Sequence, residues 1–150
     1  MSVSLVACYY RFASKHTIEE YDKWINNLLS SITCNIIIFT SLDLEEYFNR
    51  YTKDNARLEN KIKIIIKEFH DLPLLNQYPD IWLEQYRKDP TPNLRTKECY
   101  MIWNSKMNFL KYAIELNPFN SDKFIWNDIG SLRDEHLDRK STRLNSSHIT

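Results

Sequence analysis

One uninterrupted apolar run, NIIIFT at Asn35–Thr40, limits the fold of this chain more than any other feature. A strand without alternating polar positions is buried on both faces, which is typical of a parallel sheet covered by helices. Its isoleucines and phenylalanine also favour the extended conformation. Three more apolar runs predict further strands: VSLVACYY at Val3–Tyr10, KIKIIIKEF at Lys61–Phe69, and the short run Phe124–Trp126.

The segments between these strands have the residue spacing of amphipathic helices. Apolar residues recur at helical spacing in Thr17–Ile32, and Thr17 and Glu20 form a capping-box pair at its start. Further helices are predicted within Leu42–Tyr51, Pro73–Arg87 and Glu98–Leu116. The order of the elements predicts an α/β fold with a Rossmann-like, mostly parallel sheet flanked by helices.

Charge and composition exclude several classes of protein. The chain has 20 Lys and Arg and 20 Asp and Glu, so no basic excess indicates a nucleic-acid partner. No apolar run is long enough to span a bilayer, and the first residues lack the pattern of a signal peptide. We therefore expect a cytoplasmic protein without a transmembrane segment. The cysteines are widely spaced and are expected to be reduced thiols.

Gly130 is the only glycine of the chain. Both the GxGxxG dinucleotide fingerprint and the phosphate-binding P-loop need several glycines, so the sequence excludes both. A nucleotide, if one is bound, must be held by a different loop chemistry.

The residues that follow the predicted strands are the candidate site. Ligands of parallel sheets bind beyond the carboxyl ends of the strands. The side chains expected there are Tyr9, Tyr10 and Arg11 after the first strand, Thr40 and Ser41 after the second, His70 and Asp71 after the third, and Asn127 and Asp128 after the fourth. Arg11 is suited to a phosphate and Asp128 to a divalent cation. The residue types also allow simpler roles: Arg11 as a solvated loop residue, Asp128 as part of a turn, and the tyrosines as core residues.

The last residues of the chain resemble a translated laboratory oligonucleotide. DRKSTRLNSSH at Asp138–His148 matches an in-frame translation of a common short-read sequencing adapter. We therefore interpret residues 138–150 as a non-native tail and residues 1–137 as one domain. The natural chain is then expected to continue past Leu137, which would make the present chain a fragment without activity.

Several blocks together resemble the HtrL/YibB family, a set of glycosyltransferase-like proteins found in bacterial surface-polysaccharide loci and elsewhere. The N-terminal blocks are VSLVACYYRF, TIEEYDKWINNLL and NIIIFT. The more specific block is IWNSKMNFLKYAIELNPFNSDKFIWNDIGSLR, in which a helix with an Asn-Ser-Lys triplet leads to an aromatic strand that ends in Asp128. The resemblance covers most of Val3–Arg133.

The resemblance implies the N-terminal half of a GT-A-type nucleotide-diphosphosugar transferase. Asp128 matches the first acid of an Asp-x-Asp-like motif that holds Mn²⁺ or Mg²⁺ on the donor diphosphate, whereas Gly130 stands where the second acid would be. Lys106 and Arg133 match positions that would neutralise phosphate charge. The expected partners are a nucleotide-sugar donor and a glycan acceptor, and no catalytic base is identified. Lys106 could also be an exposed helix residue and Arg133 a helix cap.

A second hypothesis from the same residues is a non-catalytic domain that binds nucleotide sugars or other proteins. Gly130 in place of the second acid is its motivation, because one carboxylate is a weak basis for a metal site. A third is an α/β domain with no small-molecule site, which would be favoured if the side chains at the strand ends lay far apart.

Overall fold

A sheet of four parallel strands forms the centre of the fold in the computed structural model. The structure describes residues 1–12, 15–53, 55–77, 79–90 and 96–133, so the predicted tail at 138–150 lies outside the described residues. The strands are β1 (Val3–Tyr9), β2 (Asn35–Thr40), β3 (Ile62–Ile66) and β4 (Lys123–Trp126), in the spatial order β3-β2-β1-β4. This arrangement confirms the predicted α/β fold with a parallel sheet.

The helices lie between the strands, in the positions that the apolar spacing predicts. They are α1 (Ile18–Ser31), α2 (Glu45–Lys53), α3 (Ala56–Glu59), α4 (Pro73–Gln77), α5 (Pro79–Arg87) and α6 (Lys97–Leu116), with short 3-10 turns at Leu42–Leu44 and Phe69–Asp71. The long helix α6 ends at Asn117, whose left-handed backbone stops the helix just before Pro118. The short helix α3 was not predicted from the sequence.

Strand β3 ends at Ile66, three residues before the predicted end at Phe69. Its neighbour β2 ends at Thr40, and the backbone N–H of Lys67 donates to the carbonyl of Thr40 as the last bond between them. No partner strand extends further on that side among the described residues, so the chain turns into the 3-10 segment. The Glu68 carboxylate then accepts from the backbone N–H of Leu42 at 2.9 Å, which ties the two strand ends together.

The sheet separates two apolar clusters, and β2 contributes to both. Ile36 and Ile38 pack on the side of α1, α2 and α3, whereas Ile37 and Phe39 pack on the side of α6. Burying a large aliphatic or aromatic side chain stabilises a fold by about 1.5–3 kcal/mol. Both faces of β2 are therefore shielded from water, which explains why its sequence does not alternate between apolar and polar residues.

Within the described ranges, no helix has both the length and the apolar character needed to cross a membrane.

Candidate functional site

A cavity of about 600 Å³ opens beyond the carboxyl ends of β1 and β4. Its walls come from the residues after β1, the start of α1, one face of α6 and the loop after β4. This is the edge of a parallel sheet where ligands usually bind, because the strand ends and the loops after them converge there. We call this cavity the strand-end pocket.

The strand-end pocket collects most of the side chains that the sequence singled out. Its lining includes Tyr9, Tyr10, Arg11, Lys106, Asp128 and Arg133. Residues from three different segments therefore meet at one place, and Arg11 and Asp128 line the same cavity as expected. The other residues predicted at the strand ends are not among the described residues that line it: Thr40, Ser41, His70, Asp71 and Asn127.

Thr40 has a structural position at the end of β2. Its side chain is fully buried, and its hydroxyl donates to the carbonyl oxygen of Tyr9 at 2.6 Å. The bond ties the ends of β1 and β2 together across the sheet. In this arrangement Thr40 supports the loop that carries Arg11 rather than facing the pocket.

Asn127 is buried beneath the loop after β4, and its hydrogen bonds hold the conformation of that loop. Its buried amide donates to the carbonyl oxygen of Asp128 at 3.2 Å and to the hydroxyl of Ser131 at 3.4 Å. Its backbone N–H donates to the carbonyl of Val6. These bonds hold the turn in which Asp128 points outward.

Lys106 and Asp128 form the centre of the pocket's charge arrangement. The ammonium of Lys106 lies 3.1 Å from Oδ1 of Asp128 and 5.6 Å from the centre of the Trp126 ring. The indole N–H of Trp126 donates to the same Oδ1 at 2.8 Å. Two donors from α6 and β4 thus converge on one carboxylate oxygen.

The two arginines that line the pocket are each held over an aromatic ring. The guanidinium of Arg133 lies 4.4 Å from the centre of Trp24, and its Nε donates to the carbonyl of Gly130. Arg11 lies 5.0 Å from the ring of Tyr47 and pairs with Asp22 at 3.3 Å. Stacking of this kind restrains an arginine while its remaining N–H groups can still reach a ligand.

The tyrosines are neutral parts of the wall. Burial raises the pKa of Tyr9, and a hydrogen bond from Arg11 partly opposes that rise. Burial also raises the pKa of Tyr10, whose hydroxyl donates to the carbonyl of Lys67 at 2.6 Å. Because its hydroxyl is engaged, the ring of Tyr10 is the part that can contact a ligand.

Cys8 is a buried thiol at the bottom of the pocket. Burial raises the pKa of Cys8, the nearby Asp128 raises it further, and Lys106 opposes the rise. The residue is therefore a neutral thiol at physiological pH, and a thiolate nucleophile is disfavoured there. The expected absence of disulfides holds for Cys8, Cys34 and Cys99, all of which are free.

The pocket is strongly basic although the chain as a whole is neutral. Four lining residues, Arg11, Lys15, Lys106 and Arg133, are cationic, and Asp128 is the carboxylate among the described lining residues. The formal charge of the entire chain is zero. The excess of positive charge is therefore created by the fold and favours an anionic ligand.

The donor set at Asp128 does not fit a metal held by protein side chains. Mn²⁺ and Mg²⁺ prefer several oxygen ligands, of which at least one or two are carboxylates. Across the described ranges, no group of three or more His, Cys, Asp or Glu residues lies close enough to bind one ion. The carboxylate that is present faces an ammonium instead. The predicted cation at Asp128 stays a prediction.

Several lining residues were not singled out from the sequence, among them Lys15, Tyr21, Cys99, Ile102 and Trp103. The sequence contains a pattern that could have identified some of these lining residues. Cys99, Ile102, Trp103 and Lys106 follow the spacing i, i+3, i+4 and i+7, which places them on one face of the predicted helix. A lysine within an otherwise apolar helix face indicates a pocket wall rather than a solvated surface.

Comparison with known proteins gives a family but no described function. No curated protein and no solved structure matches the chain. One family model matches residues 9–146, and its description is a bacterial protein of unknown function, HtrL_YibB. The matched range continues past residue 137, so the interpretation of residues 138–150 as a tail stays a prediction. With the match covering most of its length, the chain belongs to the HtrL_YibB family.

Proposed function

We propose that the strand-end pocket binds the diphosphate of a nucleotide-activated sugar and that this chain is part of a glycosyltransferase. One observation carries this proposal: an electrically neutral chain places four cationic side chains and one carboxylate around a single cavity at its strand ends. A diphosphate supplies the negative charge that such a cavity lacks. Arginine and lysine bind phosphate through charge-assisted hydrogen bonds.

The aromatic side chains of the pocket fit the remaining parts of such a donor. Tyr10, Trp103 and Trp126 line the same cavity as the cations. Flat rings give a base or a sugar ring a large contact area at low entropic cost, while phosphates are recognised by the charges beside them. The pocket therefore combines the two kinds of surface that a nucleotide sugar requires.

The same charges support sugar transfer as the proposed reaction. In sugar transfer the bond between the anomeric carbon and the diphosphate oxygen breaks, and its electron pair stays on the diphosphate. The acceptor hydroxyl oxygen forms the new bond to the sugar and releases its proton to solvent. Fixed cations next to the diphosphate stabilise the negative charge that develops on the leaving group. Lys106, Arg11 and Arg133 are the side chains placed for that task.

Calorimetric titration of UDP into the protein tests the binding step. We expect saturable binding, and Arg133→Gln should weaken it by roughly ten-fold, because one charge-assisted contact is lost. Lys123→Gln is the matched control. It removes the same charge from an exposed position at the start of β4, away from the pocket, and should leave the affinity unchanged.

The outcomes separate the candidate functions. Release of UDP from UDP-sugars by a protein that binds UDP would support the transferase. Binding without any release by the full-length protein would favour a non-catalytic nucleotide-sugar-binding domain. A folded protein that binds neither UDP nor ADP, GDP or CDP would contradict the proposal and favour an interaction domain.

A further inference from the structure

We propose that the ammonium of Lys106 replaces the divalent cation, so that the donor diphosphate is bound without a metal ion. This inference rests on the proposed function, because it concerns the same pocket and the same ligand. Lys106 is the residue that contacts the diphosphate, and Asp128 is a positioning residue that orients Lys106.

The first argument is the position of the ammonium. Lys106 Nζ lies 3.1 Å from Asp128 Oδ1, and Trp126 donates its indole N–H to that oxygen at 2.8 Å. A metal ion that used this oxygen would have to displace both donors. The Lys106 side chain is one-third exposed, at 32%, so its ammonium remains accessible from the pocket while Asp128 and Trp126 restrain it.

The second argument is that a second carboxylate at position 130 would be crowded by neighbouring rings. A Cβ added to Gly130 would lie 3.1 Å from ring atoms of both Tyr21 and Trp24, which is closer than ordinary van der Waals contact. An aspartate there would start from that crowded position. The glycine that interrupts the Asp-x-Asp pattern thus suits the close packing of α1 against the loop after β4.

The third argument is the positive charge of the other side chains that line the strand-end pocket. Arg11, Lys15 and Arg133 line the cavity together with Lys106. A divalent cation placed among them would be repelled, and Asp128 together with Asp22, which pairs with Arg11, would offset only part of that repulsion. A diphosphate, in contrast, is attracted by every one of these cationic side chains. The same cations that disfavour a metal ion supply the neutralisation for which a metal would be needed.

The test is a set of UDP titrations in EDTA and in excess Mn²⁺. We expect the wild-type protein to bind UDP with the same affinity in both conditions. Lys106→Met, which keeps the length of the side chain and removes its charge, should weaken binding on the order of ten-fold. Lys106→Arg should restore much of that loss because it restores the charge.

Asp128→Asn distinguishes the two uses of this residue. The amide oxygen can still accept from Lys106 and Trp126, so a positioning role predicts that UDP binding in EDTA persists within about three-fold. A metal ligand predicts the opposite: the Mn²⁺-dependent part of binding would disappear. Circular dichroism and urea unfolding of each variant establish that the compared proteins are folded.

Two results would overturn the inference while leaving the proposed function intact. One is binding of UDP that requires Mn²⁺ and is lost in Asp128→Asn. The other is an unchanged affinity in Lys106→Met. Absence of UDP binding in both EDTA and Mn²⁺ by the folded wild-type protein would instead refute the proposed function, and this inference with it.

Discussion

At the scale of single residues, Gly130 shows how packing and chemistry constrain each other. Its backbone needs no left-handed conformation, since the described positive φ angles belong to Asn117 and Asn120. What position 130 requires is the absence of a side chain, because Tyr21 and Trp24 approach it closely. The Trp24 ring also carries the guanidinium of Arg133, and Tyr21 lines the strand-end pocket.

Substitution of Gly130 by alanine should therefore destabilise the protein. The added methyl group forces the rings of Tyr21 and Trp24 to move by a few tenths of an ångström, and overpacking of this kind costs about 1–3 kcal/mol. The free energy of unfolding in urea measures the loss. The displaced Trp24 also supports Arg133, so UDP affinity should fall in the same variant.

Ser131→Ala is a neighbouring control for that experiment. It removes a hydroxyl that receives only a 3.4 Å bond from Asn127, and the expected loss of stability is below about 1 kcal/mol. A Gly130→Ala protein as stable as the wild type would show that the two rings relax without cost. The steric argument against a second carboxylate would then fail as well.

At the scale of elements, the start of α1 illustrates a local signal that the structure reproduces. Thr17 accepts from the backbone N–H of Glu20 at 3.1 Å, and the Glu20 carboxylate accepts from the backbone N–H of Thr17 at 3.3 Å. This reciprocal pair is the predicted capping box. It positions the first turn of the helix, from which Ile18 and Tyr21 reach the pocket.

Removal of the cap by Thr17→Ala should lower the free energy of unfolding by about 1 kcal/mol, because an unsatisfied N–H is left at the helix start. Glu19→Gln is the control in the same turn. It changes a charge near the helix terminus without touching the cap and should cost only about 0.3–1 kcal/mol. Chemical denaturation at neutral pH compares the two variants. Equal losses would contradict a specific role of the cap.

The capping box also predicts a dependence of stability on pH. The backbone N–H of Thr17, and secondarily His16, hold the pKa of Glu20 below its ordinary value of 4.5. A lowered pKa in the folded protein means that the contribution of Glu20 is complete above pH 4.5. It is lost as the pH falls through the lower folded-state value.

Glu20→Gln isolates this contribution because glutamine still accepts the hydrogen bond but does not titrate. Stability measured from neutral pH to well below 4.5 should fall more steeply for the wild type than for Glu20→Gln. Parallel curves for the two proteins would mean that the carboxylate charge contributes nothing to the folded state.

At the scale of the whole molecule, α6 joins the core to the pocket. Phe109 and Ala113 bury one side of the helix against the sheet, where Phe109 packs on Phe39 and Trp126. Lys106 projects from the same helix towards the pocket. The position of the ammonium is therefore determined by core packing that lies outside the site itself.

Phe109→Ala should cost about 3–5 kcal/mol in the free energy of unfolding, because the side chain is 1% exposed and its removal leaves a cavity between helix and sheet. Met107, two residues earlier on the same helix, is 74% exposed, and Met107→Ala should be nearly neutral. Urea denaturation measures both. A small effect at Phe109 would contradict the packing described for this face of the sheet.

Much of the fold could be predicted because its signals are local. The run Asn35–Thr40 contains four consecutive buried apolar residues, Ile36 to Phe39, so its place inside a two-sided core follows from the sequence. The bounds of α1 follow from a cap, and the end of α6 follows from Asn117 and Pro118. By contrast, the end of β3 depended on where β2 stops, which no local pattern in β3 records.

The candidate site also has features that the sequence predicts and features that only the tertiary structure shows. The sequence by itself determined which strand ends carry polar and charged residues, since each follows directly from an apolar run. Only the tertiary structure decided that Thr40 and Asn127 turn inward as supports, and that Lys106 meets Asp128. The reason is physical: periodicity and caps act over one or two turns of chain, whereas ion pairs between elements depend on strand order and helix packing. In this protein, contacts between distant segments bring basic side chains of an electrically neutral chain together in one pocket.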